Sequence, residues 1–492
     1  MQNDKNNNGS ESMFLSSKRR DKIDNLINFG IDFGTSSTKV FLREVIKGKT
    51  YAYQFQDHLE ALGPFCWPST VRIYDGRLYF GTVAEKMNYG RTIRSFKVCL
   101  ACANGYVNNK QCPFKSCLIN NDSLGSYVVN MKSSLSVCLH PWEIASLYIA
   151  NILNILTNGL MKDPSFGLSS KYTFNMSAPL DMVNRENTRM TFEKVLYIAN
   201  SMKDEIHQGI EIEKAISALD KQIRAFQKVP ESAERHTFIV PETHAAMVGY
   251  VVSGKAEPGL YAAIDVGAGT TDVAIFRYSQ KLAARDVAYY IADTDLIGGD
   301  DIDRAILELI VDKKDMAIEE KEKLLGNIRH LKRNYDENKG LSIYDKQYSS
   351  DNIISSVKSD LDKMYNHYKK TWGKGYQKEM RPNHWKDLYI LLLGGCNQLP
   401  FVRNRISEDN PSNTFQGIIK NISVHPLQLP TDIEVLGSTN HTNINEYVSI
   451  LTLAYGLSFH IAENPDYFTP HEVDPLPPKE YDEPQQEGEW WG

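Results

Sequence analysis

Two short segments of the chain carry residue types that suit phosphate chemistry. In each, an aspartate at the end of an apolar strand leads through glycine into hydroxyl residues. The segments are Asp32-Phe33-Gly34-Thr35-Ser36 and Asp265-Val266-Gly267-Ala268-Gly269-Thr270-Thr271-Asp272. Glycine lets the backbone turn tightly, so that successive N–H groups point at phosphate oxygens. The hydroxyl groups add donors, and the leading aspartates suit Mg²⁺ held through its water ligands.

A glycine pair later in the chain suits a flat, planar ligand. Residues 388–393 form an apolar run that predicts a buried strand, and Gly394-Gly395 follow it directly. A backbone without side chains offers a flat surface of the kind that adenosine needs. One Asp-led turn alone is also typical of an ordinary hairpin. Two such turns together with the glycine pair favour a nucleotide site.

The elements around the two Asp-led segments predict a duplicated architecture. Each segment connects an apolar strand to a second strand, which ends near Val45 in the first copy and near Tyr278 in the second. The copies lie about half a chain apart, which favours two lobes that face each other over a tandem array of repeats. Between them, apolar residues of 144–152 recur at helical spacing. The pattern predicts an α/β protein.

Composition limits the classes of function. The chain has 492 residues, enough for at least two lobes, and a net charge of −6, which disfavours a dedicated nucleic-acid binder. The N-terminus lacks an apolar signal core, and no uninterrupted apolar run approaches the roughly 20 residues that cross a membrane. We therefore expect a cytoplasmic protein without membrane contacts. The seven cysteines then favour thiols or metal ligands over disulfides.

The motifs resemble those of the heat-shock seventy (DnaK-like) chaperones. The two Asp-led segments are similar to the family's phosphate loops, and Leu393-Gly394-Gly395-Cys396-Asn397-Gln398-Leu399-Pro400 resembles its adenosine motif. Further similar segments occur in family order, from residue 29 to about residue 462. They are Trp67-Pro68-Ser69-Thr70-Val71, residues 81–84, Pro241-Glu242-Thr243-His244-Ala245-Ala246 and Gly298-Gly299-Asp300-Asp301-Ile302-Asp303.

The resemblance implies an α/β actin-like ATPase fold. Two lobes, each with a ribonuclease-H-like core and a small subdomain, would enclose the nucleotide in a central cleft. The predicted parts are a disordered tail at 1–26, lobe I at 27–258 with a variable small subdomain at about 66–138, lobe II at 259–462 with a small subdomain at about 299–386, and a disordered acidic tail at 463–492.

The resemblance also implies roles for individual residues. The catalytic set would be Lys97, Glu242, Asp265 and Thr270, and Asp32 and Asp265 would hold Mg²⁺ through water. The ATP or ADP contacts would be Asp32, Gly34, Thr35, Ser36, Gly267, Gly269, Thr271, Gly298, Gly299, Arg329, Lys332, Arg333, Gly394, Gly395, Cys396 and Gln398. An ordinary surface lysine is the alternative for Lys97, and a helix-capping neighbour is the alternative for Glu242.

Two departures from the family shape the expected function. Gln398 stands where the family has an arginine that stacks on adenine, so the cation–π contact is lost. After Ile461 a short acidic, proline-rich segment replaces the family's peptide-binding domain and lid. We expect a chaperone-like ATP-hydrolysing switch that works with co-chaperone-like or nucleotide-exchange partners. The alternatives are a nucleotide sensor that does not hydrolyse ATP, a sugar kinase and a filament-forming segregation ATPase.

Two further features stay open at this point. Cys99, Cys102, Cys112 and Cys117 have spacings that a tetrahedral zinc site can use, and cytosolic thiols in a variable insertion are the alternative. The acidic C-terminal segment ends in Trp490 and Trp491, whose large apolar area suits an anchor in a partner's groove. An inert solubilising tail is the alternative.

Overall fold

The computed structural model describes residues 25–103, 127–130, 136–161, 166, 170–226, 236–252, 256–281, 284–311, 318–343, 346–385, 387–408, 421–425, 429–437, 442–461, 464, 466–470 and 472–473. The chain is a mixed α/β protein, as the sequence predicts. Its strands are β1 (Asn25–Phe33), β2 (Ser37–Glu44), β3 (Lys49–Tyr53), β4 (Trp67–Pro68), β5 (Val71–Tyr74), β6 (Arg77–Phe80), β7 (Arg91–Ile93), β8 (Tyr127–Asn130), β9 (Ser136–Leu139), β10 (Ser170–Ala178), β11 (Ile210–Glu211), β12 (Thr237–Pro241), β13 (Gly259–Val266), β14 (Thr271–Lys281), β15 (Ala284–Asp295), β16 (Leu341–Ile343), β17 (Lys346–Tyr348), β18 (Asp387–Leu393), β19 (Asn421–His425), β20 (Glu434–Leu436) and β21 (Asp466–Phe468).

Helices cover these sheets. They are α1 (Gly81–Lys86), α2 (Phe96–Ala103), α3 (Pro141–Met161), α4 (Leu180–Val183), α5 (Glu186–Met202), α6 (Ile212–Ala225), α7 (Glu242–Val252), α8 (Gly299–Val311), α9 (Ile318–Leu331), α10 (Ser350–Lys378), α11 (Pro400–Glu408) and α12 (Val448–Leu457). Among the described helices, α3 alone has the length and composition to cross a membrane, and 72% of its apolar window is buried inside the protein. It therefore serves as a core helix, packed against α5.

The two large sheets share one arrangement. The first has the order β12-β10-β1-β2-β3-β20, with β4 paired to β2, and the second has the order β19-β18-β13-β14-β15-β21. In each, three consecutive strands form an antiparallel meander, and two later strands continue the sheet in parallel beside the meander's first strand. The repeated sequence pattern thus corresponds to a repeated sheet. We call the parts built on the first and second sheets lobe I and lobe II.

The strand register makes the two Asp-led hairpins equivalent. Asp32 pairs with Lys39 across β1 and β2, and Asp265 pairs with Asp272 across β13 and β14. Loops of equal length, residues 34–37 and 267–270, connect the strands. Each leading aspartate is therefore the second-last residue of its strand, with its side chain on the same face of the sheet as its cross-strand partner.

The small subdomains lie beyond the two sheets. In lobe I, strands in the order β11-β6-β5-β7 form a separate sheet, and β8 pairs with β9. In lobe II, α8, α9 and α10 share one hydrophobic core with the β16–β17 hairpin.

Two helices join the lobes. α7 packs on the second sheet through residues such as Met247 and Tyr250, while α12 packs on β1 and β2 of the first sheet. The helices contact each other so closely that a Cβ atom on Gly456 would lie 1.7 Å from the Ala245 carbonyl oxygen. A Cβ atom on Gly30 of β1 would likewise lie 2.3 Å from the Ser458 nitrogen. Only glycine allows these approaches.

Buried amides fix the end of α12 to the first sheet. The side-chain amide of Asn28 donates to the carbonyl oxygens of Leu457 and Ser458, and that of Asn175 donates to Leu457 and Phe459. These carbonyls close a helix and have no partner further along it. The polar residues that interrupt two apolar strands are therefore C-terminal caps for α12.

Three predicted boundaries, those of the two tails and of lobe II, differ from the observed ones. β1 begins at Asn25, inside the segment expected to be disordered up to residue 26. The range predicted for lobe II, 259–462, does not hold for β20 and α12, because β20 pairs with β3 and α12 packs on the first sheet. Within the predicted disordered tail, β21 pairs with β15, and the Tyr467 ring lies 4.4 Å from that of His244. Residues 1–24 and 474–492 lie outside the described residues.

We expect Gly456→Ala to separate α7 from α12. The added methyl group overlaps backbone atoms, which cannot rotate away, so the free energy of unfolding should fall by about 1–3 kcal/mol. Gly373→Ala in α10 is the control, because a Cβ atom there has no described atom within 4 Å. That change should stabilise the helix by about 0.5–1 kcal/mol. Urea unfolding monitored by circular dichroism measures both, and equal effects would contradict the tight joint.

Candidate functional site

The two Asp-led loops face each other across one cleft. In the second loop, the Gly267 amide donates to the Thr270 carbonyl over 2.9 Å. A Cβ atom on Gly269 would lie 3.0 Å from Thr35 Cγ2 in the first loop and 2.6 Å from Val98 Cγ2. The loops therefore meet with no room for a side chain at Gly269. Their backbone donors lie on two sides of one space, as a ligand with several phosphates requires.

The glycine pair lies at the end of β18, beside β13. Gly394 has φ +81°, and a Cβ atom there would lie 2.3 Å from Asp265 Oδ1. Gly395 has no described atom within 4 Å of its Cβ position, so it leaves space open. The first glycine is thus required by the backbone and by the Asp265 carboxylate. The second presents a bare backbone to the cleft.

The cleft encloses about 1310 Å³ that is open to solvent. Most of the residues predicted to form a site line it. They are Asp32, Gly34, Thr35, Ser36, Lys97, Glu242, Asp265, Gly267, Thr270, Arg329, Lys332, Arg333, Gly394, Gly395 and Cys396.

Four carboxylates at the base of the cleft are buried: Asp32, Glu242, Asp265 and Asp272. Asp265 is 8% exposed, and no described residue donates a hydrogen bond to it or forms an ion pair with it. Burial raises its pKa well above the usual range, and the charges of Glu242, Asp272 and Asp32 raise it further, against the opposing effect of Lys97. The cleft therefore holds a carboxylate without a counter-ion.

Asp272 is the second strongly perturbed carboxylate. Burial and then the charge of Glu242 raise its pKa to about 7, although Thr294 and Thr270 donate hydrogen bonds to it over 2.5 and 2.9 Å. Sequence reasoning treated Asp272 only as the end of a motif. Its position opposite Asp265 in the strand register is the signal that predicts its orientation toward the cleft.

The carboxylates fit a hard divalent cation. All of the candidate ligands are oxygen atoms, which Mg²⁺ prefers, and Asp265 forms no ion pair with any described residue. Within the described residues, no three His, Cys, Asp or Glu side chains converge closely enough to hold an ion directly. An ion here would keep several water ligands, which is how Mg²⁺ is usually bound.

Two lysines each neutralise one carboxylate of this group. Lys97 pairs with Glu242, the first residue of α7, and Lys39 Nζ lies 3.0 Å from Asp32 Oδ2. Sequence reasoning missed Lys39, although it lies directly across the hairpin from Asp32. The surface-lysine alternative for Lys97 is excluded by its burial, with 8% of the residue exposed.

Three basic residues of lobe II line the opposite rim, and each forms an ion pair or a hydrogen bond with another residue. Arg329 pairs with Asp300 over 3.0 Å, and Lys332 pairs with Asp303 over 2.7 Å. Arg333 donates to the Ala61 carbonyl of lobe I over 2.8 Å. Asp300 and Asp303 also line the cleft. The sequence analysis named them within a family-like segment and did not predict them as site residues.

Thr271, Gly298, Gly299, Cys396 and Gln398 make hydrogen bonds or close contacts to the protein around the site. Thr271 is 1% exposed and donates to the Ile297 carbonyl, so its hydroxyl does not reach the cleft. Gly298 and Gly299 lie against the second loop, where the Gly299 amide donates to the Gly267 carbonyl. The Cys396 thiol donates to the same carbonyl, and burial raises its pKa to about 11. Gln398 Nε2 donates to Ser449 Oγ over 2.6 Å.

The structure describes two of the four predicted zinc ligands. Cys99 and Cys102 are in α2, whereas Cys112 and Cys117 lie outside the described residues. The zinc site therefore stays a prediction.

Comparison with models of known protein families and with curated proteins found no match. The resemblance to DnaK-like chaperones thus rests on the sequence motifs.

We expect Asp265→Asn to stabilise the protein in the absence of divalent ions. Because the folded-state pKa of Asp265 is raised above its unfolded value of about 3.9, ionisation of this carboxylate lowers stability at neutral pH. Removing the charge should therefore raise the free energy of unfolding at pH 7. This gain should shrink as the pH falls toward 4.

Asp300→Asn is the matched control for that measurement. The same substitution there removes an ion pair with Arg329 and weakens a hydrogen bond from Ser95, so it should destabilise the protein by about 1–3 kcal/mol. Urea unfolding in EDTA at several pH values measures both variants. A loss of stability in Asp265→Asn at pH 7 would contradict the assignment of Asp265 as an uncompensated charge.

Proposed function

We propose that the chain binds Mg²⁺ and ATP and hydrolyses ATP slowly as a conformational switch. The observation that carries the proposal is the pair of equivalent Asp-led loops, one from each sheet, meeting at a cleft where Asp265 has no described counter-ion. Repeated sheets of this strand order are typical of ribonuclease-H-like cores. Two such cores around one cleft support the actin-like superfold and the resemblance to DnaK-like chaperones.

The arrangement suits a nucleoside triphosphate in one orientation. Phosphates would lie between residues 34–37 and 267–270, where loop N–H groups and the Thr35 hydroxyl could donate to them. The Thr270 hydroxyl would exchange its hydrogen bond to Asp272 for one to a phosphate. The adenosine would lie over Gly395, whose Cβ position is open. Leu399, Ile450 and Leu453 line the same cleft and provide apolar surface for the base.

The residues at the base of the cleft suit phosphoryl transfer to water. Bound Mg²⁺ would neutralise charge on the phosphates. Glu242 would accept a hydrogen bond from the attacking water, and the Lys97 ammonium group paired with it would offset the charge that develops on the γ-phosphate. The water oxygen then forms a bond to phosphorus as the bond to the bridging oxygen breaks. The ADP leaves with the electron pair of that bond.

The contacts between the lobes support a switch. At the rim of the cleft, Arg333 of lobe II donates an exposed hydrogen bond to the Ala61 carbonyl of lobe I. On the other side, α7 and α12 are packed at van der Waals distance around Gly456. Polar contacts at an open rim exchange with water at small cost, whereas the packed joint does not. A ligand that contacts both loops would therefore favour the closed lobes, and partners such as nucleotide-exchange proteins would favour opening.

We expect Lys97→Met to separate binding from chemistry. The Kd for Mg-ATP should change by less than about threefold, because Lys97 contributes most where charge develops in the transition state. The single-turnover hydrolysis rate should fall by about 10²–10³-fold, the usual effect of losing one donor to such a charge. Rapid-quench measurement with radiolabelled ATP gives the rate.

Lys86→Met is the control for this experiment. Lys86 also forms an ion pair, with Asp57, but it lies half exposed on the surface. Its removal should leave both quantities unchanged. A hydrolysis rate in Lys97→Met equal to that of the wild type would remove Lys97 from the mechanism. Failure of the wild type to hydrolyse bound ATP would favour a sensor that does not turn over its nucleotide.

A further inference from the structure

Lys39 lies inside the cleft, on the strand that follows the first loop. Its side chain is 15% exposed, and its partner Asp32 is 7% exposed. A Cβ atom on Gly34 would lie 3.4 Å from Lys39 Nζ, which places the ammonium group directly beside the backbone of that loop. The lysine therefore lies where a phosphate bound by the loop would come within reach.

The charges around Lys39 keep it protonated. Burial lowers the pKa of this lysine, but the charge of Asp32, together with weaker effects of Cys66 and Asp265, outweighs burial and raises the pKa overall. The ammonium group thus faces the same carboxylates that fit a divalent cation. The Asp32 carboxylate is therefore already neutralised by the Lys39 ammonium group.

We infer that Lys39 is a phosphate-binding residue whose transfer from Asp32 to the nucleotide makes nucleotide and divalent cation bind cooperatively. The inference rests on the proposed function. While Lys39 pairs with Asp32, it opposes a second cation at that carboxylate. When Lys39 forms an ion pair with a bound phosphate, it leaves Asp32, and this carboxylate can then hold the divalent ion. The ion in turn strengthens binding of the phosphates. Coupling of this kind is reciprocal.

Asp32 is held in position independently of Lys39. Ser177 Oγ accepts a hydrogen bond from the Phe33 amide over 3.1 Å and lies 3.4 Å from Asp32 Oδ1. Asp32 is also fixed by the backbone pairing of β1 with both β2 and β10, which surrounds the end of the strand. The carboxylate therefore stays in place when the lysine moves. A purely structural ion pair would stabilise the hairpin without affecting nucleotide binding.

The test measures Mn²⁺ and a non-hydrolysable ATP analogue separately and together. Electron paramagnetic resonance gives the Mn²⁺ affinity with and without the analogue, and calorimetry in EDTA gives the affinity for the analogue alone. In the wild type, the analogue should tighten Mn²⁺ binding by at least roughly tenfold, beyond the affinity of Mn²⁺ for the free analogue. In Lys39→Met, Mn²⁺ alone should bind more tightly, and the analogue alone should bind more weakly. The coupling factor should fall below the wild-type value, to the part that direct contact between the ion and the phosphates provides.

Three controls keep the result interpretable. Lys39→Arg retains the positive charge and should keep most of the coupling, whereas Lys47→Met removes a lysine paired with Glu44 outside the cleft and should change nothing. Lys39→Gln replaces Lys39→Met if the latter does not unfold cooperatively on heating. In Lys39→Met, saturating Mn²⁺ should raise the melting temperature more than it does in the wild type.

The outcomes separate this inference from the proposed function. A wild type that binds Mg-ATP without coupling to the ion would overturn the inference and leave the proposed function standing. The same conclusion would follow if Lys39→Met kept both the wild-type coupling factor and the wild-type affinity for the analogue alone. A wild type that binds neither the analogue nor Mn²⁺ would overturn both.

Discussion

An excess of buried negative charge governs the centre of this molecule. Four carboxylates lie together at the base of the cleft, and the described residues provide two ammonium groups for them, Lys39 and Lys97. Such a cluster weakens the fold unless it is neutralised, as the raised pKa values of Asp265 and Asp272 indicate. Clusters of like charge with shifted pKa values are typical of functional sites, where they lower the stability of the free protein and favour binding of a ligand. In the proposed complex, a divalent ion would supply positive charge to these carboxylates, and the ion together with the lysines would offset the charge of the phosphates.

The architecture serves to bring these charges together from distant parts of the chain. Asp32 and Asp265 occupy equivalent positions in two copies of one sheet, and α7 brings Glu242, its first residue, close enough to raise the pKa of Asp265. The α7–α12 joint fixes the distance between the sheets because glycines at the crossing leave no slack. The rims of the cleft are held by weaker, polar contacts. This difference supports the proposed switch, in which the lobes would open at the rims while the α7–α12 joint stays packed.

Local sequence patterns were enough to predict the loops, their strands and the glycine pair. Each feature depends on a few neighbouring residues: an aspartate, glycines and an apolar run. The patterns did not predict Lys39 and Asp272 as site residues, because their orientation depends on the hairpin register. They also missed β20 and β21, since strands of three residues gain their stability from partners hundreds of residues away. Thr271 resembled a phosphate ligand by its position in the motif, but the alternation of the strand turns it toward Ile297.

The central claim is that the cleft binds ATP through a divalent ion. Calorimetric titration of the full chain with ATP, in Mg²⁺ and then in EDTA, tests it most directly. The account predicts one saturable site per chain in Mg²⁺ and an affinity at least roughly tenfold lower in EDTA, a difference of about 1.4 kcal/mol. Gly395→Arg, which fills the open backbone surface, should abolish the binding without unfolding the chain. Equal affinity in Mg²⁺ and EDTA, or no binding of ATP by the folded wild type, would contradict the account.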